Sequence, residues 1–485
     1  MPYLLLITFP VAIGASCFLL RTQTRLVIVL AVATMLAQVA LAVFIPVDQP
    51  VRLLGLTLNL DPLGQLFLIV VPAVTALMFV TTWRLPHGEN YLPIALMIIG
   101  LASTIVLLLQ EPFVAALLLV SAGLLSVLAI VDLPTGSSLL VEPAVIASAL
   151  KYLVLMAIAG VLMYMGFILI NMYRPGVMPQ QVEPPRIVLA LLAVGFGLRL
   201  AVAPFHSWLP DLVEHAAPMV AALVIIVLNT TGLLFLISVF QFFPVIVAEN
   251  EHGLALLAWL GALAALAGGL MALVQDRPRR VAGYLVVYNA GMVLFGLATI
   301  TPAGLAGAVF ETFNQILAVP LLLLSLALLE QPDGRAPNVV RRDLLWRWPV
   351  GGAGLLGGGL ALLGLPPFSG YASKMLFYDV AARNDIVFLG LLVGATALGL
   401  LALARLAHQR LLGAPEDQPV EETPRLLGMT EVDLPAQRRL EREPPVVALA
   451  VVLLLAWCLA IGLYPKPLLA MITDMIRGLT FVREL

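Results

Sequence analysis

Apolar residues run in blocks of about twenty along nearly the whole chain, parted by short polar connections. Windows of that size fall at 3–20, 26–46, 63–83, 92–109, 112–132, 146–171, 187–205, 218–243, 253–274, 281–299, 303–329, 349–378, 385–407 and 445–464. About 20 apolar residues carry a helix across the hydrocarbon layer. Backbone N–H and C=O groups must find partners there without water, which favours helices over any open sheet. The pattern predicts an all-α polytopic membrane protein with about 14 transmembrane helices. The first block has the length of a signal peptide, but it lacks a basic start and a clear small-residue cleavage site, so it reads as a membrane helix.

With that count both termini share a side. Odd-numbered connections carry most of the Lys and Arg, including Arg21, Arg25, Arg84, Lys151, Arg277, Arg279 and Arg280, whereas even-numbered ones hold few, such as Arg52, Arg174, Arg186 and Arg383. The positive side faces the cytoplasm, so both termini are expected outside. The membrane expected is the bacterial cytoplasmic membrane or an equivalent energy-transducing one. Five units follow: an N-terminal three-helix segment (1–90), two five-helix repeats (91–243 and 244–407), a cytoplasmic loop (408–444), and a last helix with an amphipathic tail (445–485). The loop carries five arginines against eight acids.

Composition agrees, with 61% hydrophobic and 11% charged residues. Soluble domains run at about 25% charged, so a soluble fold is excluded. A net charge of −2 gives no reason to expect nucleic acid. Two cysteines, Cys17 and Cys458, are too few to ligate an iron–sulfur cluster. No histidine sits mid-span, which argues against a membrane b-type haem. No lysine follows a glycine, which excludes a phosphate-binding P-loop. Gly352-Ala353-Gly354-Leu355-Leu356-Gly357 matches the dinucleotide-binding spacing but has no strand before it. It reads as small residues for helix packing.

Two spans carry a proline interruption beside a cation. The seventh contains Gly195-Phe196-Gly197-Leu198-Arg199 with Pro204 five residues on. The twelfth contains Gly364-Leu365-Pro366-Pro367 with Lys374 seven residues beyond Pro367. Proline removes a helix hydrogen bond and frees carbonyls that then need polar partners. Broken helices at corresponding places in two halves point to an ion site. The cation precedes the break in one half and follows it in the other, five helices later, as inverted repeats would produce. An intramembrane charge is costly and marks function by default. The bland alternative is a side chain snorkelling from a helix end.

These segments resemble the antiporter-like membrane subunits of respiratory complex I, a family shared with Mrp-type sodium/proton antiporter subunits. The resemblance rests on Lys151-Tyr152, on Pro204-Phe205-His206-Ser207-Trp208-Leu209-Pro210-Asp211 followed by His215-Ala216-Ala217-Pro218, on Arg279-Arg280-Val281-Ala282-Gly283-Tyr284, and on Gly364-Leu365-Pro366-Pro367 through Lys374. It implies a proton path along the membrane mid-plane, built from buried charged and polar side chains. The residues carried over or lying beside that path are Lys374, Arg199, Glu311, Lys151, His206, Asn229, Thr230, Tyr288 and Asn289. The family's fifth-helix Glu falls on Gly123, its eighth-helix Lys on Thr230, and its eleventh-helix His and Lys on Glu311 and Gln315. The first half-channel is therefore expected to be degraded. A carboxylate restored at Gly123 is expected to find only a distant partner in Arg199. Glu311 is open to two readings, a partner for Lys374 or a buried acid serving a neighbouring subunit.

The function implied is a membrane-arm, proton-translocation-type subunit of a complex I-like NADH:quinone oxidoreductase with no redox site of its own. Flavin, iron–sulfur clusters and quinone are expected in partner subunits. Two alternatives stand beside it, a subunit of an Mrp-type sodium/proton antiporter and a structural subunit that no longer pumps. Expected partners are other membrane-arm subunits and lipid.

Overall fold

The computed structural model describes residues 2–53, 55–85, 87–132, 143–172, 184–330, 345, 348–412 and 443–482. Most of the predicted 408–444 loop lies outside the described residues. Helices follow one another in the order α1 (Pro2–Leu19), α2 (Thr24–Phe44), α3 (Pro62–Thr81), α4 (Tyr91–Leu107), α5 (Pro112–Val131), α6 (Pro143–Met172), α7 (Pro184–Arg199), α8 (Trp208–His215), α9 (Pro218–Phe242), α10 (Val245–Ala248), α11 (Glu251–Val274), α12 (Pro278–Ala298), α13 (Pro302–Glu330), α14 (Pro349–Leu363), α15 (Gly370–Asn384), α16 (Ile386–Arg410), α17 (Pro445–Leu463) and α18 (Lys466–Arg477). Eleven of them are long and apolar enough to cross a membrane, and α4 and α14 are shorter apolar helices.

Helix starts are written in proline. α3, α5, α9, α12, α14, α17 and α18 carry Pro in the first turn. There the missing N–H has no intrahelical partner to lose, and the fixed φ already suits the helix. Side-chain caps add to this where they occur. Asp61 accepts from Gly64 N at 3.0 Å to start α3, and Asp385 accepts from Val387 N at 3.0 Å to start α16.

The most apolar windows of α9 and α13 are wholly buried, and these helices form the axis of the molecule. α1, α2, α6 and α16 instead expose rows of large apolar side chains, among them Leu19, Phe44, Val161 and Leu401. Such faces suit lipid or a neighbouring membrane subunit. One element departs from the all-helical expectation: Val51–Leu53 and Leu56–Leu58 pair as a small antiparallel hairpin between α2 and α3. Gly55 turns it at φ +82°, a conformation that favours glycine.

The glycine-rich string in α14 does what small residues do in membrane helices. A side chain on Gly358 would strike the backbone of Leu322 in α13, and one on Gly354 would strike Ser325. Their absence lets α14 lie directly on α13.

Candidate functional site

α7 stops at Arg199, and the chain then crosses Leu200 to Pro204 before a single 3-10 turn (Phe205–Ser207) and α8. Ala201 takes a left-handed φ of +55° in this crossing. The carbonyl of Leu198, which takes a long 3.4 Å bond from Ala201 N, also accepts the indole Nε1–H of Trp208 at 2.8 Å. The Phe-His-Ser-Trp string thus repairs the interruption that it follows.

α14 ends at Leu363 with Gly364 in the left-handed region, φ +72°. Leu365 N returns to Leu360 O at 3.1 Å and Gly364 N to Ala361 O at 3.2 Å, which is the Schellman arrangement. Asn314 of α13 donates to Ala361 O at 3.0 Å, giving that carbonyl a second partner. Gly364 serves twice, because a side chain on it would also strike the stem of Lys374.

Lys374 lies in the second turn of α15, fully buried. Its ammonium donates to Asn289 Oδ1 at 2.6 Å and stands 3.0 Å from Glu311 Oε2. It also lies 5.1 Å from the centre of the Tyr288 ring and 5.9 Å from that of Phe377, within cation–π range. Glu311 is equally buried. Its Oε2 accepts from the Ser373 hydroxyl at 2.5 Å and its Oε1 from Asn314 Nδ2 at 3.0 Å. Ser369 donates to Asn314 Oδ1 at 2.5 Å, so the far end of the amide is held as well. A buried ion pair offsets its desolvation only when further hydrogen bonds support it, and here Asn289, Ser373 and Asn314 supply them.

The sequence thus placed Lys374, Glu311, Tyr288 and Asn289 among the site residues, and α12, α13 and α15 bring all four together. It did not single out Ser369 and Ser373, which orient the pair. They stand five and one residues before Lys374 in a segment otherwise apolar, which was the available signal. Tyr378 and Thr396 also went unsingled. The hydroxyl of Thr396 lies 2.7 Å from that of Tyr288 and 2.6 Å from that of Tyr378.

Arg199 differs. It is 1% exposed, and its Nη1 donates to the carbonyl of Leu119 at 3.1 Å. Its Nε and Nη2 have no hydrogen-bond partner among the described residues. A Cβ added to Gly123 would lie 3.6 Å from Arg199 Nη1. The expectation that Gly123 is distant from Arg199 is therefore corrected, because α5 and α7 set them face to face.

The remaining sequence candidates sit elsewhere. Asn229 donates to Gln315 Oε1 at 3.0 Å, tying α9 to α13 one turn from Glu311. Thr230 faces an apolar pocket with Phe67, Val71, Ile99 and Val106. Its hydroxyl has no hydrogen-bond partner among the described residues. His206 lies 5.8 Å from the Tyr284 ring. Lys151 stands at the rim of the fold, half-exposed, paired with Asp211 at 2.8 Å and donating to Ser207 O at 2.9 Å. Around it Arg280 bonds Asp211 and Glu214, Arg277 bonds Glu214, and Arg279 donates to the end carbonyls Glu214 and Ala216. This cluster ties the last turn of α8 to α6 and α12.

Among the described residues no three His, Cys, Asp or Glu side chains stand close enough to hold a metal ion. The site is a set of buried, hydrogen-bonded charges inside a bundle of membrane-length helices, a costly arrangement in an apolar layer. Residues 139–399 match the family described as NADH:quinone oxidoreductase/Mrp antiporter, transmembrane, and the chain belongs to that family. It is 24% identical over 339 residues to NADH-quinone oxidoreductase subunit N of Desulforamulus reducens, across 67% of this chain and 66% of that one. It is 30% identical over 293 residues to NADH-quinone oxidoreductase subunit 14 of Thermus thermophilus, across 57% of this chain and 62% of that one. The chain thus matches slightly under two thirds of these relatives' length. The same fold occurs in the Mrp complex of a Dietzia species, with TM-score 0.81, 19% identity, and 98% of this chain and 97% of that chain covered.

Proposed function

We propose that this chain is a membrane-arm subunit of a complex I-like NADH:quinone oxidoreductase and that it moves protons through its second half. The observation that carries this reading is the fully buried Lys374–Glu311 pair, 3.0 Å apart at the start of α15. A proton passing from Nζ to Oε2 cancels both charges at once, and a neutral pair can separate at little electrostatic cost. Lys374 can then take a proton from one side while Glu311 releases one to the other. Asn289 holds the ammonium, and Ser373 and Asn314 hold the carboxylate, so that both groups are in place for the transfer.

In this reading the protein has fourteen spans, with α7–α8 and α14–α15 each serving as one interrupted span, and two inverted five-helix repeats at 91–243 and 244–407. Residues 1–90, 408–444 and 445–485 are the flanking segments. Both termini lie outside a bacterial cytoplasmic membrane. Flavin, iron–sulfur clusters and quinone belong to partner subunits, and neighbouring membrane-arm subunits cover the exposed apolar faces. The first half is a degraded half-channel: Gly123 and Thr230 stand where a titratable relay is needed, and Arg199 cannot release its proton. It serves as scaffold, while Asn229 and Gln315 join it to the working half.

A second reading, a subunit of an Mrp-type sodium/proton antiporter, stands beside it because the matching family takes in both kinds of assembly. Purification of the intact assembly separates the two. Co-purifying flavin and iron–sulfur subunits, together with a loss of protons moved per electron in Lys374→Ala, support the first. Small membrane partners alone support the second. A coupling ratio unchanged in Lys374→Ala assigns the chain a structural role.

A further inference from the structure

The two interrupted segments treat their cations differently. Lys374 has a carboxylate, an amide and an aromatic face; Arg199 has one backbone carbonyl. A guanidinium carries five N–H donors and keeps its charge in any protein environment. Among the described residues no carboxylate pairs with it, and Nε and Nη2 go without a hydrogen-bond partner. The Tyr152 side chain of α6 is also fully buried. An uncompensated buried charge is too costly to leave unanswered, and donors without acceptors call for an acceptor.

Gly123 leaves room for one. A methyl-sized group built on it would meet Arg199 Nη1 at 3.6 Å and the Met156 side chain at 3.7 Å, ordinary contact distances. On the other flank Gly232 stands close to the guanidinium Nε. Gly123 is itself buried and Arg199 is 1% exposed, so a side chain from a neighbouring subunit would have to part α5 from α6 to arrive. Water would solvate the guanidinium but would not neutralise it.

We propose that Arg199 binds a small monovalent inorganic anion of the chloride type through its unpartnered Nε and Nη2. The anion takes the place of a fixed carboxylate and lets the first half keep a permanent buried cation. The site does not depend on which assembly the chain serves.

The test uses the full-length chain in phosphatidylcholine nanodiscs, with sodium chloride or bromide exchanged for gluconate at constant ionic strength. The expected result is a saturable rise in the unfolding temperature with halide and none with gluconate. Gly123→Asp, which supplies its own carboxylate next to Nη1, abolishes the halide response, and so does Arg199→Gln. Equal effects of gluconate and halide, no halide effect, or an unchanged response in a folded variant overturns the proposal. Should neither variant fold, the wild-type protein crystallised in bromide decides. An anomalous peak in contact with the Arg199 guanidinium supports the site, and its absence there overturns it.

Discussion

Glu311 and Lys374 meet at 3.0 Å with neither side chain exposed, and they come from α13 and α15 on either side of the glycine-rich α14. Removing one partner leaves the other charged and alone, a loss of about 3–5 kcal/mol for buried pairs. Lys374→Met and Glu311→Gln are each expected to lower the unfolding temperature of the purified protein. The double variant is expected to recover most of the loss while remaining transport-dead. Additive losses in the double variant would show that the two do not act as a pair.

Lys374→Ala is expected to lower the ions moved per electron more than Arg199→Ala does. An ammonium can give up its proton within the range a protein imposes, and a guanidinium effectively cannot. Proton uptake by reconstituted vesicles, at matched assembly, measures the difference, and equal ratios for the two variants would refute the ranking.

Lys151 and Glu214 belong to one ionic cluster but carry unequal weight. The Lys151–Asp211 pair is open to solvent on both sides, so Lys151→Gln is expected to cost under about 1 kcal/mol and to leave transport unchanged. Glu214 has a side chain only 7% exposed and answers both Arg277 and Arg280. Glu214→Ala is expected to destabilise by about 1–3 kcal/mol, the cost of stranding hydrogen-bond donors. Urea titration of the two variants side by side decides this.

Gly358→Val is expected to block assembly outright. Its Cβ would lie 2.8 Å from the backbone nitrogen of Leu322, and a backbone cannot step aside as a flexible side chain can. Gly390→Ala, at a position with nothing within 4 Å, is the control expected to behave as wild type. The amount of each variant extracted from membranes provides the reading.

Much of the architecture could be read directly from the residues. Each apolar window from 3–20 to 445–464 overlaps a helix, because in an apolar solvent the length of an apolar run and the punctuation by proline leave few other solutions. The helices that end at Arg199 and Leu363 stop shortly before Pro204 and Pro366-Pro367, which cannot continue a helix hydrogen-bond ladder. The hairpin at 51–58 was not legible, since two strands of three residues carry too little alternation to stand out.

The family signature and the cationic character of residues 199 and 374 were likewise fixed by residue identity alone. Tertiary structure alone decided which partner each cation has. Ser373 and Glu311, 62 residues apart, are joined only because α13 and α15 pack directly against each other. The Glu311 carboxylate stands 3.0 Å from the Lys374 ammonium. Arg199 and Gly123 are brought together because α5 and α7 both pack on α6, and among the described residues no carboxylate pairs with Arg199. Side-chain identity sets what a residue can donate or accept, but pairing across a bundle depends on how closely the helices approach, and that distance is set by small residues scattered over several segments at once.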